Sequence, residues 1–230
     1  MVADTGVRPD RLVVVVGTGT GVGKTWVAAR VLESLRNAGH PVAARKPAQS
    51  FDPGDEPEGT DAAVLGRATG ESAEEVCALG RWYPAAMAPP MAASVLGRPG
   101  FGLSDLVAEV RWPSVLAGGD RTGVGLVETA GGVCSPQADD GDGVALARLF
   151  SPDVVVLVAD AGLGTLHAVR SSLAAMTGTK GLPEPVVVLN RFDPADDLHR
   201  RNADWLGRHE GVVPVVSPGG LDRLAREIVG

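Results

Sequence analysis

Gly17-Thr18-Gly19-Thr20-Gly21-Val22-Gly23-Lys24-Thr25 follows directly on the apolar run of residues 12–16 and opens a stretch with helical spacing. A β-branched strand feeding a glycine-rich turn and then a helix is the architecture of a phosphate-binding loop. The glycines let successive backbone N–H groups face one concavity, and the helix N-terminus adds its partial positive charge there. Gly21 to Thr25 therefore read as the cradle. Lys24 is expected to face solvent and reach the terminal phosphates as a point charge, and the Thr25 hydroxyl to ligate Mg2+. The strict spelling of such loops has glycine five residues before Gly23; here that place holds Thr18, with Gly17 one position earlier.

Working outward, 230 residues with 44% hydrophobic but only 4% aromatic content suit one aliphatic core. The expectation is a single domain over residues 1–230, with residues 1–10 as a loose polar arm. The apolar runs at 12–16 and 154–159 fall far short of the roughly 20 residues that span a bilayer, and no signal-peptide pattern opens the chain. A cytoplasmic protein without a membrane partner is expected. A net charge of −7 disfavours nucleic acid as a partner, yet leaves room for a local pocket that takes small anions. Cys77 and Cys134 lack metal-ligand spacing and read as packing residues; His40, His167, His199 and His209 show no paired spacing either.

Residues 11–16 give a first strand and 24–38 a first helix, whose apolar positions recur at three and four residues. Residues 41–45 form a second strand that delivers Lys46-Pro47-Ala48-Gln49-Ser50 to its carboxyl end, where open α/β sheets bind ligands. Residues 51–60 are a loop, and Thr60-Asp61 caps a helix over 62–68. Residues 71–102, broken by prolines and lined by alanines, read as a cover over something. Ser104 is expected to cap a helix to about residue 117, and a strand at 123–127 ends at Glu128-Thr129-Ala130-Gly131-Gly132. A carboxylate at the tip of a buried strand beside a phosphate loop suits a magnesium-organising role. A helix at 144–150 and an unalternating, doubly covered strand at 154–160 follow. Gly162-Leu163-Gly164-Thr165 then leads to a helix at 166–176, and a strand at 185–189 ends in Asn190-Arg191. Asp193-Pro194 is expected to start a helix through 205, and 212–216 and 221–229 give the last strand and helix. About six strands alternating with helices set the class as α/β, a three-layer sandwich with a mostly parallel central sheet and helices on both faces.

In this order, the Thr-rich loop, Lys46-Pro47 with Ser50, Asp61, Glu128-Thr129-Ala130-Gly131-Gly132, Gly164-Thr165 and Asn190 resemble the dethiobiotin synthetase family, over most of the chain. The resemblance implies a P-loop NTPase-like fold and a ligase of biotin biosynthesis. Such enzymes close the ureido ring of dethiobiotin from 7,8-diaminopelargonate, CO2 and a nucleoside triphosphate, ATP being expected, with Mg2+. It also implies a homodimer with the substrate near the interface. By resemblance Lys46 is the catalytic lysine over a substrate carbamate, assisted by Lys24, while Thr20 and Ser50 hydrogen-bond substrate. Thr25, Asp61 and Glu128 organise the metal. Nucleotide contacts are implied for Gly21, Val22, Gly23, Lys24, Thr25 and Trp26, for Asp61, Glu128, Thr129, Ala130 and Gly131, and around the base for Asn190, Arg191, Pro214, Val215 and Val216. His167, where an asparagine is frequent in the family, would face the substrate carboxylate across the dimer. Gly19 and Gly21 also depart from family acids.

Two other classes share this type of loop. Cobyrinic-acid amidases need an additional amidotransferase domain with a nucleophilic cysteine. Partitioning and cell-division ATPases carry a lysine at the start of the loop, where this chain has Gly17 and Thr18.

Overall fold

The computed structural model describes residues 7–178 and 180–230. Its central sheet holds β1 (Arg11–Gly17), β2 (Val42–Arg45), β3 (Val124–Glu128), β4 (Val154–Asp160), β5 (Val186–Asn190) and β6 (Val215–Val216). They lie in the order β6-β5-β4-β1-β3-β2, every neighbouring pair parallel. Parallel neighbours require crossovers, and the helices that make them bury both faces of the sheet. The side chains of β1 divide accordingly: Leu12, Val14 and Val16 enter one apolar cluster, Val13 and Val15 the other.

The second cluster is closed by α1 (Lys24–Asn37), α2 (Asp61–Thr69), α3 (Ala73–Val76) and α9 (Leu221–Val229). The first is closed by α4 (Pro89–Val95), α5 (Leu103–Glu109), α6 (Gly143–Phe150), α7 (Thr165–Met176) and α8 (Asp197–Glu210). Three layers result. The chain departs from β1 toward β2 and β3 on one side, then returns to β4 on the other, so the phosphate loop leaves β1 at a topological switch point. Register fixes what meets there. Val15 pairs with Glu128, Arg45 with Val127, and Asp160 with Asn190, so the functional candidates leave the sheet along one edge.

Several expected boundaries move. α5 begins at Leu103, with the Asp105 carboxylate accepting from Gly102 N at 2.8 Å, and stops at Glu109 well short of residue 117. α8 starts at Asp197, not at Asp193-Pro194, because Asp196 is the residue whose carboxylate accepts from Leu198 N and His199 N. It continues to Glu210. Of residues 212–216 only the last strand's Val215–Val216 pairs, since β6 is a short sheet edge. Cys77 is buried as expected, whereas Cys134 is exposed. Residues 1–6 of the expected arm lie outside the described residues. Asp10, beyond them, is anchored by Gly118 N and Gly123 N at 3.1 and 3.0 Å. Among the described residues no helix is long and apolar enough to cross a membrane.

Candidate active site at the carboxyl ends of the strands

The phosphate loop is held from behind by the end of β5. Asn190 is buried, donates to Val22 O at 3.0 Å and accepts from Ser217 Oγ at 3.0 Å. Arg191 bridges Gly21 O at 2.8 Å and Asp160 Oδ2 at 2.7 Å. Gly23 sits directly over this brace at φ +91°, in the left-handed region, and a Cβ there would run into Asn190 Nδ2. That contact, and the backbone angle, explain the glycine. Gly23→Ala is expected to weaken triphosphate binding about tenfold or more, because the left-handed conformation alone costs roughly 1–2 kcal/mol for an L-residue before the collision is counted. Titration with a nucleotide analogue checks it, and unaltered affinity would mean that the brace does not set the loop.

Past Gly23 the first helical turn of α1 has no side-chain cap and no acidic residue, leaving its N–H groups to a ligand. Lys24 is not solvent-facing. It is only 6% exposed, folds back over Gly17, whose Cβ would lie 2.8 Å from Lys24 Cδ, and donates to Gly19 O at 2.9 Å. Burial, followed by the nearby Lys46 charge, pushes its ammonium down to about 8. A bound triphosphate would restore the proton. Nucleotide binding is therefore expected to take up protons near pH 8, with affinity falling as pH rises through that value and insensitive to this group well below it. Calorimetry in buffers of different ionisation enthalpy measures the uptake; none at pH 8 would contradict it.

Beside the loop four side chains converge from four elements. Lys46, following β2, is 2% exposed and places Nζ 2.6 Å from Glu128 Oε1 and 2.7 Å from Asp61 Oδ2. Thr25 Oγ1 lies 2.7 Å from Asp61 Oδ1 and 2.9 Å from Glu128 Oε1. Burial works against the Lys46 charge, but the two carboxylates outweigh it and hold the ammonium above its ordinary value. Burial would likewise raise Asp61, yet Lys46 and Thr25 keep it low. Glu128, wholly buried, is pushed up by that burial despite Lys46, and its Oε2 has no partner.

The donor set fits a hard divalent cation. One Thr25 proton cannot serve two carboxylates at once, Glu128 retains an unpartnered buried oxygen, and all the converging ligand atoms are oxygens.

These groups line a cleft of about 630 Å³ together with Thr20, Trp26 and Ser50. Ser50 Oγ is buried without a partner, and the expected cover, from Ala86 to Pro89, closes one side. Other expected residues lie elsewhere. His167 is exposed on α7 and does not line the cleft. Val215 is core, and Pro214 and Val216 do not line the cleft either. Thr129 turns its hydroxyl back to Val15 O at 3.4 Å and offers Lys46 only its carbonyl. A base contact by Asn190 would have to use the one proton and lone pair that bracing the loop leaves over. Sequence reasoning missed Gln137 and Ser135, which hold the turn after Glu128; neither falls in a recognisable spacing, and only the fold brings them back to it.

A central strand, glycine turn and uncapped helix at a switch point, with a lysine and hydroxyl at the helix start, define a P-loop nucleotide-binding protein. The family model described as AAA domain matches residues 11–218. The signal recognition particle receptor FtsY from Elizabethkingia anophelis shares the fold, with a TM-score of 0.52 at 12% identity over 98% of this chain and 67% of that one. More specific are two relatives described as ATP-dependent dethiobiotin synthetases. The one from Caulobacter vibrioides is 38% identical over 187 residues, 80% of this chain and 81% of its own. The one from Rhodococcus jostii is 38% identical over 223 residues, 95% and 91% respectively. The chain belongs to the ATP-dependent dethiobiotin synthetase family.

Proposed function

We propose that the protein closes the ureido ring of dethiobiotin from 7,8-diaminopelargonate, CO2 and ATP. The observation that carries this is the pair of buried lysines, Lys24 and Lys46, facing one cleft beside two carboxylates. The second cation comes from the end of β2 and not from the start of the loop, and two cations so placed suit a reaction in which two anions must meet.

One substrate amine takes up CO2 and loses a proton, giving a carbamate. Its oxygen attacks the γ-phosphorus, and the bond from that phosphorus to the bridging oxygen breaks to release ADP. The second amine then attacks the carbonyl carbon of the mixed anhydride, phosphate leaves with the C–O electron pair, and the amine proton is lost as the ring closes. Lys46 neutralises and orients the carbamate, Lys24 and the N–H groups of Gly21 to Thr25 hold the phosphates, and Thr20 and Ser50 fix the substrate by hydrogen bonds. Preorganised charge of this kind supplies most of the catalysis in phosphoryl transfer. Thr25, Asp61 and Glu128 would hold a Mg2+ ion, whose chemistry there is to neutralise phosphate oxygens. By the family resemblance the working unit is a homodimer in which His167, exposed on α7, reaches the substrate carboxylate of the second copy. Neither nucleic acid nor membrane takes part in this reading, and the cytoplasm is its setting.

Incubation with diaminopelargonate, bicarbonate, Mg2+ and ATP tests it. The expected result is a product carrying one added carbonyl, with phosphate release that depends on the diamine. Phosphate release indifferent to the diamine, and no such product, would favour a switch ATPase.

A further inference from the structure

We propose that Ser135 is a further substrate-binding residue, its hydroxyl donating a hydrogen bond to the anionic oxygen of the substrate carbamate. This rests on the function proposed above. Ser135 lines the cleft with Thr20, Ser50 and Lys46. Its Oγ accepts from Gly132 N at 2.8 Å, while its own proton has no acceptor among the described residues. That single inward bond fixes the oxygen and leaves the donor to the cleft.

The turn that carries it is built to hold it. Gly131 adopts φ +63°, and a Cβ there would lie 2.5 Å from Ser135 Oγ, so only glycine admits the hydroxyl at this place. Gln137, buried, clamps the turn through both ends of its amide: it accepts from Ala130 N at 2.9 Å and donates to Ala130 O at 2.7 Å and to Ser135 O at 3.0 Å. Val133 N donates to Gly17 O at 2.9 Å, which ties the turn to the start of the phosphate loop. A donor fixed in this way loses little entropy on meeting its acceptor and is a strong place to bind charge.

Its nearness to Thr20 points to the carbamate. The same point on Gly131 that nearly touches Ser135 lies 3.8 Å from Thr20 Oγ1, and Gly132 packs against Thr18 O. Ser135 thus stands by the front half of the loop, on the side of Thr20. A hydroxyl facing a charged oxygen contributes roughly 10- to 100-fold in binding.

The test is Ser135→Ala with two readouts: KM for diaminopelargonate, and the affinity of a non-hydrolysable ATP analogue by titration calorimetry. The expected result is a rise in the diamine KM of about tenfold or more with nucleotide affinity within about twofold. A merely structural serine gives a different pattern. Gln137 and the Val133 N–H on Gly17 O hold the turn in the alanine variant; were the bond to Gly132 N the serine's whole role, the phosphate loop would loosen and both affinities would fall together. That outcome, or an unchanged diamine KM, overturns the proposal. Calorimetry of diaminopelargonate with bicarbonate onto the wild-type analogue complex separates the two levels: no binding there overturns the proposed function itself.

Discussion

Lys46→Ala is expected to lower turnover by about 10²- to 10³-fold, the range found when one preorganised stabilising group is removed from a site of developing charge. Nucleotide affinity should change much less, because the cradle and Lys24 remain. Lys46→Gln should recover little, since it restores a hydrogen bond without the charge. The geometry adds a second effect. Lys46 lies between Asp61 and Glu128, and truncating it leaves Glu128 buried without its cation, at a cost of about 3–5 kcal/mol in the general case of a broken buried pair. Adding Glu128→Gln should return part of that stability and none of the turnover. Thermal melting and steady-state kinetics on the single and double variants measure the two separately. A Lys46→Ala protein with wild-type turnover would reduce Lys46 to a structural counter-ion.

Lys24→Ala is expected to lose triphosphate binding and at least about 10²-fold in turnover, for the same electrostatic reason. Its effect on stability should be the opposite of that at Lys46. A lysine whose folded value is lowered to about 8 makes the fold less stable at every pH below that, and the penalty fades only as pH rises toward 10.5. Removing Lys24 at pH 7 relieves the penalty, whereas Lys46, held above its ordinary value, stabilises the fold until pH rises past 10.5. The melting temperature of Lys24→Ala should equal or exceed that of the wild type. A loss of several degrees, or unchanged nucleotide affinity, would contradict this placing of the lysine.

The parallel sheet and its helices were legible from unalternating valine runs separated by helical spacing, because such runs can be satisfied only when both faces are covered. The convergence of Lys46, Asp61 and Glu128 was legible because each stands at a strand or loop end beside the phosphate loop; register sets Glu128 beside the end of β2, and the start of α2 adds Asp61. Lys24 was read as exposed because the spacing does not reveal that Gly17 is bare enough for the side chain to lie over it. The start of α8 was misplaced because two aspartates within four residues each resemble a cap, and which one accepts the helix N–H groups is a tertiary matter. Gln137 and Ser135 left no signal: their partners are backbone atoms, which no side-chain pattern records.

The brace beneath the phosphate loop bears on any attempt to redesign nucleotide choice. Asn190 stands at the strand end nearest the expected base side, so it invites substitution in a library aimed at the base. Its amide, however, is shared with Val22 O and Ser217 Oγ, and its nitrogen fills the space that Gly23 leaves. Replacing it would disturb the triphosphate grip whatever else it changed, so a gain at the base would come with a looser loop.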